Sequence, residues 1–176
     1  MSPQEQLILE SLDALLQSDA VRAGIEPIVD RVEQESARDQ GAAMALEPIP
    51  LSIFGEALPA FVRSSWVFIL RAGATTGAER HPNSHQRMMS FRGAGDLQTG
   101  RDGRWQSNPL ISERDADLQC RCLSIPINVW HQAVVPELDW VVVSFHTVPA
   151  DELIEERPNP ADSGLTDQRR YVVPEE

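Results

Sequence analysis

The chain has 176 residues, 41% of them hydrophobic, which is enough for the core of one compact domain. Its formal net charge of −12 at pH 7, from 27 acidic and 15 basic residues, repels phosphate groups and argues against a nucleic-acid partner. The apolar runs are too short to span a bilayer and no export signal is visible, so we expect a cytoplasmic protein without a membrane partner.

Residues 1–45 are predicted to form an N-terminal helical extension. The segment Ser2–Glu5 is a typical helix start, with a Ser cap, a Pro at the first helical position and a Glu three residues after the cap. Apolar side chains follow at helical spacing from Ile8 to Leu16. A second helix is expected from about Asp19 to Asp39, divided or restarted at Pro27 because proline donates no backbone hydrogen bond.

From residue 49 onward the pattern changes to short β-branched and aromatic runs separated by turn residues. The candidate strands are 49–54, 61–71, 78–81, 86–92, 95–98, 119–125, 131–134 and 140–148. This density predicts a mainly β domain over residues 46–150, either a sandwich or a small closed barrel, with a long polar loop at 99–117. Residues 151–176 are predicted to be a charged surface tail with its acidic side chains in water, and 171–173 are a candidate last edge strand.

Side chains that can bind a metal are concentrated between Gly73 and Gly93. Glu79 and His81 are two residues apart, so they project from one face of an extended strand. His85 and Gln86 follow a Pro-Asn-Ser turn. A hairpin that buries a carboxylate, two imidazoles and a carboxamide together needs partners for them, and a metal ion is the simplest shared one. The alternative is an exposed polar strand edge.

This spacing resembles the first motif of the cupin superfamily, which is Gly, five residues, His-x-His, three or four residues, Glu, six residues, Gly. Glu79 stands at the first His and Gln86 at the Glu. The segment from Pro126 to His131 resembles the second cupin motif, Pro-x-Gly, two residues, His; Asn128 replaces the Gly and tolerates a left-handed turn. The resemblance implies a cupin double-stranded β-helix, a jelly-roll barrel in which His131 meets the first-motif ligands, and homodimerisation through an edge strand.

Within the cupins, the chain most resembles the thiol dioxygenases, the cysteine dioxygenase group. The stretch from His81 to His85 is similar to the metal-site hairpin of that group, and Ser144 and His146 match its outer-shell Ser and His, although its Tyr is replaced by Val. The resemblance implies outer-shell or catalytic roles for Ser144, His146 and His85. His85 is also an alternative ligand in place of Glu79.

Glu79, His81 and His131 make up the 2-His-1-carboxylate ligand set of non-haem Fe(II) oxygenases, which leaves coordination positions open. Gln86 is a candidate fourth ligand. We therefore predict a divalent transition metal, Fe(II) ahead of Mn, Ni or Zn. The predicted function is a mononuclear dioxygenase that acts on a small thiol or organic acid.

Three further side chains are candidates for contacting the substrate. Arg63 and Arg71 can each hold a carboxylate through two hydrogen bonds, and Met88 shares the face of Gln86 on its strand. Two other functions stay open, because one fold hosts many activities. One is a small-molecule-binding or sensor protein without catalysis. The other is a metal-free isomerase with His131 or His146 as general base.

Overall fold

A computed structural model describes residues 2–39, 41–162 and 164–170 of the chain. This part contains two helices, α1 and α2, eleven strands and two short 3-10 helices; the predicted strand at 171–173 lies outside it. Neither helix in the described ranges has the length and apolar character needed to cross a membrane. The bounds are α1 Pro3–Gln17, α2 Asp19–Arg38, β1 Met44–Pro48, β2 Ser64–Leu70, β3 Gln86–Arg92, β4 Ala94–Arg101, β5 Arg104–Gln106, β6 Pro109–Ile111, β7 Cys122–Ile125, β8 His131–Val134, β9 Trp140–His146, β10 Ile154–Pro158 and β11 Thr166–Arg170, with 3-10 helices at Leu51–Ala57 and Leu118–Cys120.

The strands form two antiparallel sheets and a separate hairpin. One sheet has the order β1-β2-β9-β3-β7; in the other, β4 pairs with β5, β6 and β8; β10 and β11 pair with each other. Trp66 and Phe68 of the first sheet share a buried cluster with Leu97 and Ala133 of the second, so the sheets face each other. The predicted jelly roll is confirmed. Its closure into a barrel is not, because β1 and β7 remain edges of the first sheet.

The two helices cover the outer face of the first sheet. Because side chains alternate along a strand, Val67 and Ile69 of β2 point away from the inter-sheet core and pack in the cluster that contains the helices. The helix α2 continues through Pro27, contrary to the prediction. An interior proline costs roughly 3 kcal/mol, whereas each fully buried aliphatic side chain contributes about 1.5–3 kcal/mol. Ile25 and Val29 are both fully buried, so packing outweighs the proline.

Other predicted segments also differ from the structure. Residues 49–54 are expected as a strand, but a 3-10 helix occupies most of them, and β1 begins at Met44 within the predicted helical extension. The predicted loop at 99–117 contains β5 and β6. In the tail, Glu155 and Glu156 are buried rather than in water, because arginine side chains pair with both carboxylates. Burial of a carboxylate is tolerated when it is paired in this way.

Candidate metal site

The site is built where residues 79–81 run beside β8. Glu79 and His131 exchange both backbone hydrogen bonds, with N···O distances of 2.9 and 2.8 Å, so their side chains leave the pair on one face. On the other side, Arg80 pairs with Glu156 of β10, whereas β3 pairs with β7 and β9. The expected hairpin between 79–81 and β3 is therefore wrong. These two segments belong to opposite walls of the jelly roll.

Tight backbone turns bring the two motifs together. Asn128 adopts a left-handed conformation with φ of 65°, as predicted for the residue that replaces a glycine, and its backbone N donates to His81 O at 3.0 Å. Gly93 ends the first motif at φ of 85°, where a Cβ atom would lie 2.9 Å from Asp139 O. A side chain at that position is excluded by both the conformation and the contact.

Glu79, His81 and His131 converge in the interior. Their ligand atoms, one carboxylate oxygen and two imidazole nitrogens, all lie within 4.8 Å of one another. The three residues are 8, 3 and 2% exposed, which excludes the alternative of an exposed polar strand edge. An ion about 2.0–2.2 Å from each ligand fits between atoms at this separation. The chain thus contains a buried cluster with the composition and spacing of a divalent metal site.

Backbone carbonyl groups fix the orientation of both imidazoles. His81 Nδ1 lies 2.9 Å from Ile154 O, and His131 Nδ1 lies 3.1 Å from Val129 O. Since a carbonyl oxygen accepts, each Nδ1 carries a proton, which makes Nε2 the atom of each ring that can bind a metal ion. His131 Nε2 has no hydrogen-bond partner among the described residues and lies 3.4 Å from Glu79 Oε1. Carbonyl partners of this kind hold metal-binding imidazoles in position.

The protonation states of the cluster also suit a cation. Burial alone would raise the pKa of Glu79, but its contact with His131 and the charges of His131, His81 and Arg157 lower that pKa to about 2. Burial lowers the pKa of His81. At neutral pH the carboxyl is therefore ionised and the His81 ring is neutral, which are the forms that bind metal ions.

Arg157, on β10, is a site residue that the sequence analysis missed. Its Nη2 donates to Glu79 Oε2 at 2.6 Å, and its Nη1 donates to Thr76 O at 3.1 Å. Its Nε donates to Glu155 Oε1 at 2.6 Å. The guanidinium is thus held from three sides against the carboxylate of the cluster. The only signal in the sequence is that a basic residue follows an acidic run, a pattern also typical of a solvated surface.

Gln86 and Met88 line a small cavity beside the cluster. The cavity has a volume of about 20 Å³, and Glu79 and His131 form its polar side. Gln86 is 2% exposed; its Oε1 has no hydrogen-bond partner among the described residues, while its Nε2 lies 3.4 Å from Met88 Sδ. A buried carbonyl oxygen without a donor is costly unless a cation or a water meets it. The cavity has room for one such group, so the residues present fit a metal ion or a single water beside it.

Ser144 and His146 lie behind His81 and support its ring. Ser144 Oγ is 3.1 Å from His146 Nε2, and Ser84 Oγ is 3.4 Å from His146 Nδ1. The His146 ring meets the His81 ring edge-on, with centroids 5.1 Å apart. Burial and then the charges of His81 and His131 lower the pKa of His146 well below its ordinary value, so the ring is neutral. These side chains do not line the 20 Å³ cavity.

The structure does not bring His85, Arg63 and Arg71 to the cluster. His85 Nε2 lies 2.7 Å from Ser124 Oγ and 3.7 Å from Glu5 Oε1 of α1, on the outer face of the sheet, because neighbouring residues of a strand point to opposite faces. The Arg71 guanidinium donates to backbone carbonyls at the end of α2 and beyond it, and Arg63 is exposed.

The fold and cluster can be compared with known proteins. No family model matches the sequence, and no curated protein matches it. Pumpkin seed globulin matches with a TM-score of 0.50 and 16% identity, covering 66% of this chain and 28% of that chain. Oxalate oxidase matches with a TM-score of 0.47, 14% identity and coverage of 61% and 52%. KdgF from Halomonas sp. matches with a TM-score of 0.47, 15% identity and coverage of 65% and 88%.

The likeness to pumpkin seed globulin concerns the fold alone. The likeness to the pumpkin globulin, together with the two facing sheets, shows a jelly roll of the cupin type. The chain spans little more than a quarter of that globulin's length. It is a cupin-fold protein with a buried Glu-His-His cluster suited to a divalent metal ion.

Proposed function

We propose that this chain is a mononuclear metal-dependent oxygenase, specifically a non-haem Fe(II) dioxygenase acting on a small thiol or organic acid. The supporting observation is the buried convergence of Glu79, His81 and His131, whose ligand atoms lie within 4.8 Å of one another. Two imidazoles and one carboxylate are a ligand set that non-haem Fe(II) oxygenases use. When bound, the ion would supply open coordination positions for a substrate and O₂.

The residues around the cluster have separate tasks in this proposal. The carbonyl oxygens of Ile154 and Val129 hold the two ligand imidazoles in the correct tautomer. Gln86 Oε1 accepts a hydrogen bond from a water or a protonated group that enters the cavity. The Ser144–His146 pair supports the back of the His81 ring. This pairing keeps the ligand from rotating when the cavity fills.

The side chains that line the cavity determine how a substrate can enter. Besides its polar side, the cavity is lined by apolar side chains that exclude water, among them Phe68 and Leu97. A volume of about 20 Å³ is too small for an organic molecule beside an ion. Met44 and Met88 also form the wall, and methionine side chains change shape at low energetic cost. We infer that a small substrate enters by displacing these two thioethers.

Metal analysis of matched variants tests the proposal. The protein is purified without chelators, loaded with Fe(II) under anaerobic conditions, and its metal content is measured by mass spectrometry. We expect about one ion per chain in the wild type and near-complete loss in His131→Ala, because one of three ligands is removed. His85→Ala is the control, since it removes an imidazole that lies outside the cluster. Circular dichroism confirms that both variants are folded.

The proposed dioxygenase activity is measured separately from metal binding. Oxygen consumption by the Fe(II)-loaded protein is measured with a panel of small thiols and carboxylic acids, using His131→Ala as the blank. A wild type that binds no transition metal would refute the metal site. A wild type that binds Fe(II) but consumes no O₂ with any member of the panel would refute the dioxygenase and leave a binding protein.

A further inference from the structure

The two carboxylate oxygens of Glu79 contact different side chains. Arg157 Nη2 donates to Glu79 Oε2 at 2.6 Å, while Glu79 Oε1 faces His131 Nε2 at 3.4 Å. Glu79 is 8% exposed, so water does not compete freely for either oxygen. One oxygen is therefore engaged by the protein, and the other is directed at the position between the imidazoles. In this arrangement Glu79 offers a metal ion one oxygen rather than two.

Arg157 is rigidly placed for this task. Each of its three kinds of N–H group donates to a different partner, namely Glu79, Thr76 O and Glu155, at distances of 2.6, 3.1 and 2.6 Å. Glu155 is completely buried and also accepts from Arg169 at 2.6 Å. A planar guanidinium held from three sides keeps both its position and its charge.

The charges around the cluster cancel in pairs. Glu79 is balanced by Arg157, and Glu155 is balanced by Arg169. His81 and His131 each donate their Nδ1 proton to a backbone carbonyl, an orientation that directs Nε2 away from that carbonyl. A carboxylate ligand ordinarily cancels one charge of a divalent ion. Here the positive charge of the Arg157 guanidinium offsets the negative charge of Glu79. The total charge of the centre is then the same as with three neutral ligands.

We propose that Arg157 sets the charge of this centre and thereby selects a small monoanion, such as a thiolate or a carboxylate, as the ligand of the bound ion. Arg157 is a positioning residue: it acts through Glu79 rather than by touching the ligand. The inference rests on the proposed metal site and names the substrate class of that site. It assigns a functional role to the C-terminal hairpin, which lies outside the two cupin motifs.

Anion binding by the Co(II)-loaded protein tests this role, with azide as the probe and visible absorption as the readout. Arg157→Gln should weaken azide binding roughly tenfold, the effect typical of removing one opposite charge a few ångströms away. Arg157→Lys keeps the charge and should stay within about threefold of the wild type. Arg80→Gln is the matched control: Arg80 pairs with Glu156 of the same hairpin at 2.7 Å, and its side chain is 29% exposed against 30% for Arg157.

Two further variants test whether the net charge of Glu79 and Arg157 controls the affinity for azide. Glu79→His leaves Arg157 unbalanced, so azide should bind roughly tenfold more tightly than in the wild type. The double variant Glu79→His/Arg157→Gln restores the wild-type charge and should restore its azide affinity. If Arg157→Gln does not fold or load metal, the comparison of Glu79→His with the wild type decides. Equal azide affinity in the wild type, Arg157→Gln and Glu79→His would overturn the proposal, whereas failure of the wild type to bind Co(II) would refute the metal site itself.

Discussion

The C-terminal hairpin, formed by β10 and β11, is held to the rest of the protein partly by Glu155. The substitution Glu155→Gln measures how much this residue contributes to the free energy of docking. Glu155 is completely buried, and its Oε1 accepts from Arg157 Nε and Arg169 Nε, each at 2.6 Å. Two hydrogen bonds to a charged group contribute roughly 3–6 kcal/mol when both partners are buried. The arginine side chains are 30% and 55% exposed, so water recovers much of this energy when the carboxylate is lost.

We therefore expect Glu155→Gln to weaken docking of the hairpin by about 2 kcal/mol, or roughly 30-fold in the docking equilibrium. Hydrogen exchange measured by mass spectrometry on peptides from β10 is the assay, because local opening of the hairpin exposes its amides. Glu152→Gln is the control, since Glu152 is exposed on the same segment. Exchange of β10 that is accelerated less than about threefold, or equally in both variants, would refute this account of the hairpin.

The remaining predictions concern packing, thiol reactivity and pH. Gly95→Ala should destabilise the fold by about 2 kcal/mol in urea unfolding, because the new Cβ would lie 2.2 Å from the buried Trp140 ring. Iodoacetamide should label Cys120 but not Cys122 in the folded protein, since burial raises the pKa of Cys122 to about 12; labelling of both would contradict this. The pKa of His85 is lowered, first by burial, so the unfolded chain binds a proton that the folded chain resists. Stability should fall as pH drops below about 6.5, and His85→Gln should reduce that slope.

The resemblance to the two cupin motifs predicts both the jelly roll and the ligand cluster, whereas the strand pattern alone predicts a sandwich or a small barrel. Glu79 and His81 have the alternation of a strand, and the segment ending at His131 has a turn signature that requires a left-handed residue at Asn128. These are short-range patterns whose geometry is set by the backbone, and they are retained in the structure. The predicted pairing of 79–81 with β3 is wrong. Proximity along the chain suggested a hairpin, whereas the two segments belong to different sheets.

The partners of the cluster could not be predicted, because they depend on long-range packing. A run such as Glu155, Glu156 and Arg157 has the same composition whether it faces water or another charged side chain. Pro27 predicts a helix break, and only the buried side chains around it explain why α2 continues. The resemblance predicts His85 at the site, but strand alternation places it on the helix-covered face. In each case tertiary contacts outweigh the local preference.

The orienting contacts of the cluster join parts of the chain that are synthesised far apart. The His81–Ile154 contact spans 73 residues and the Glu79–Arg157 contact spans 78. Closing such loops costs entropy that is recovered only after the intervening strands have paired. The hairpin therefore docks late, and a chain emerging from the ribosome presents Glu79 and His81 without their supports. Binding of an ion by all three ligands would then indicate that the chain has folded as far as β10.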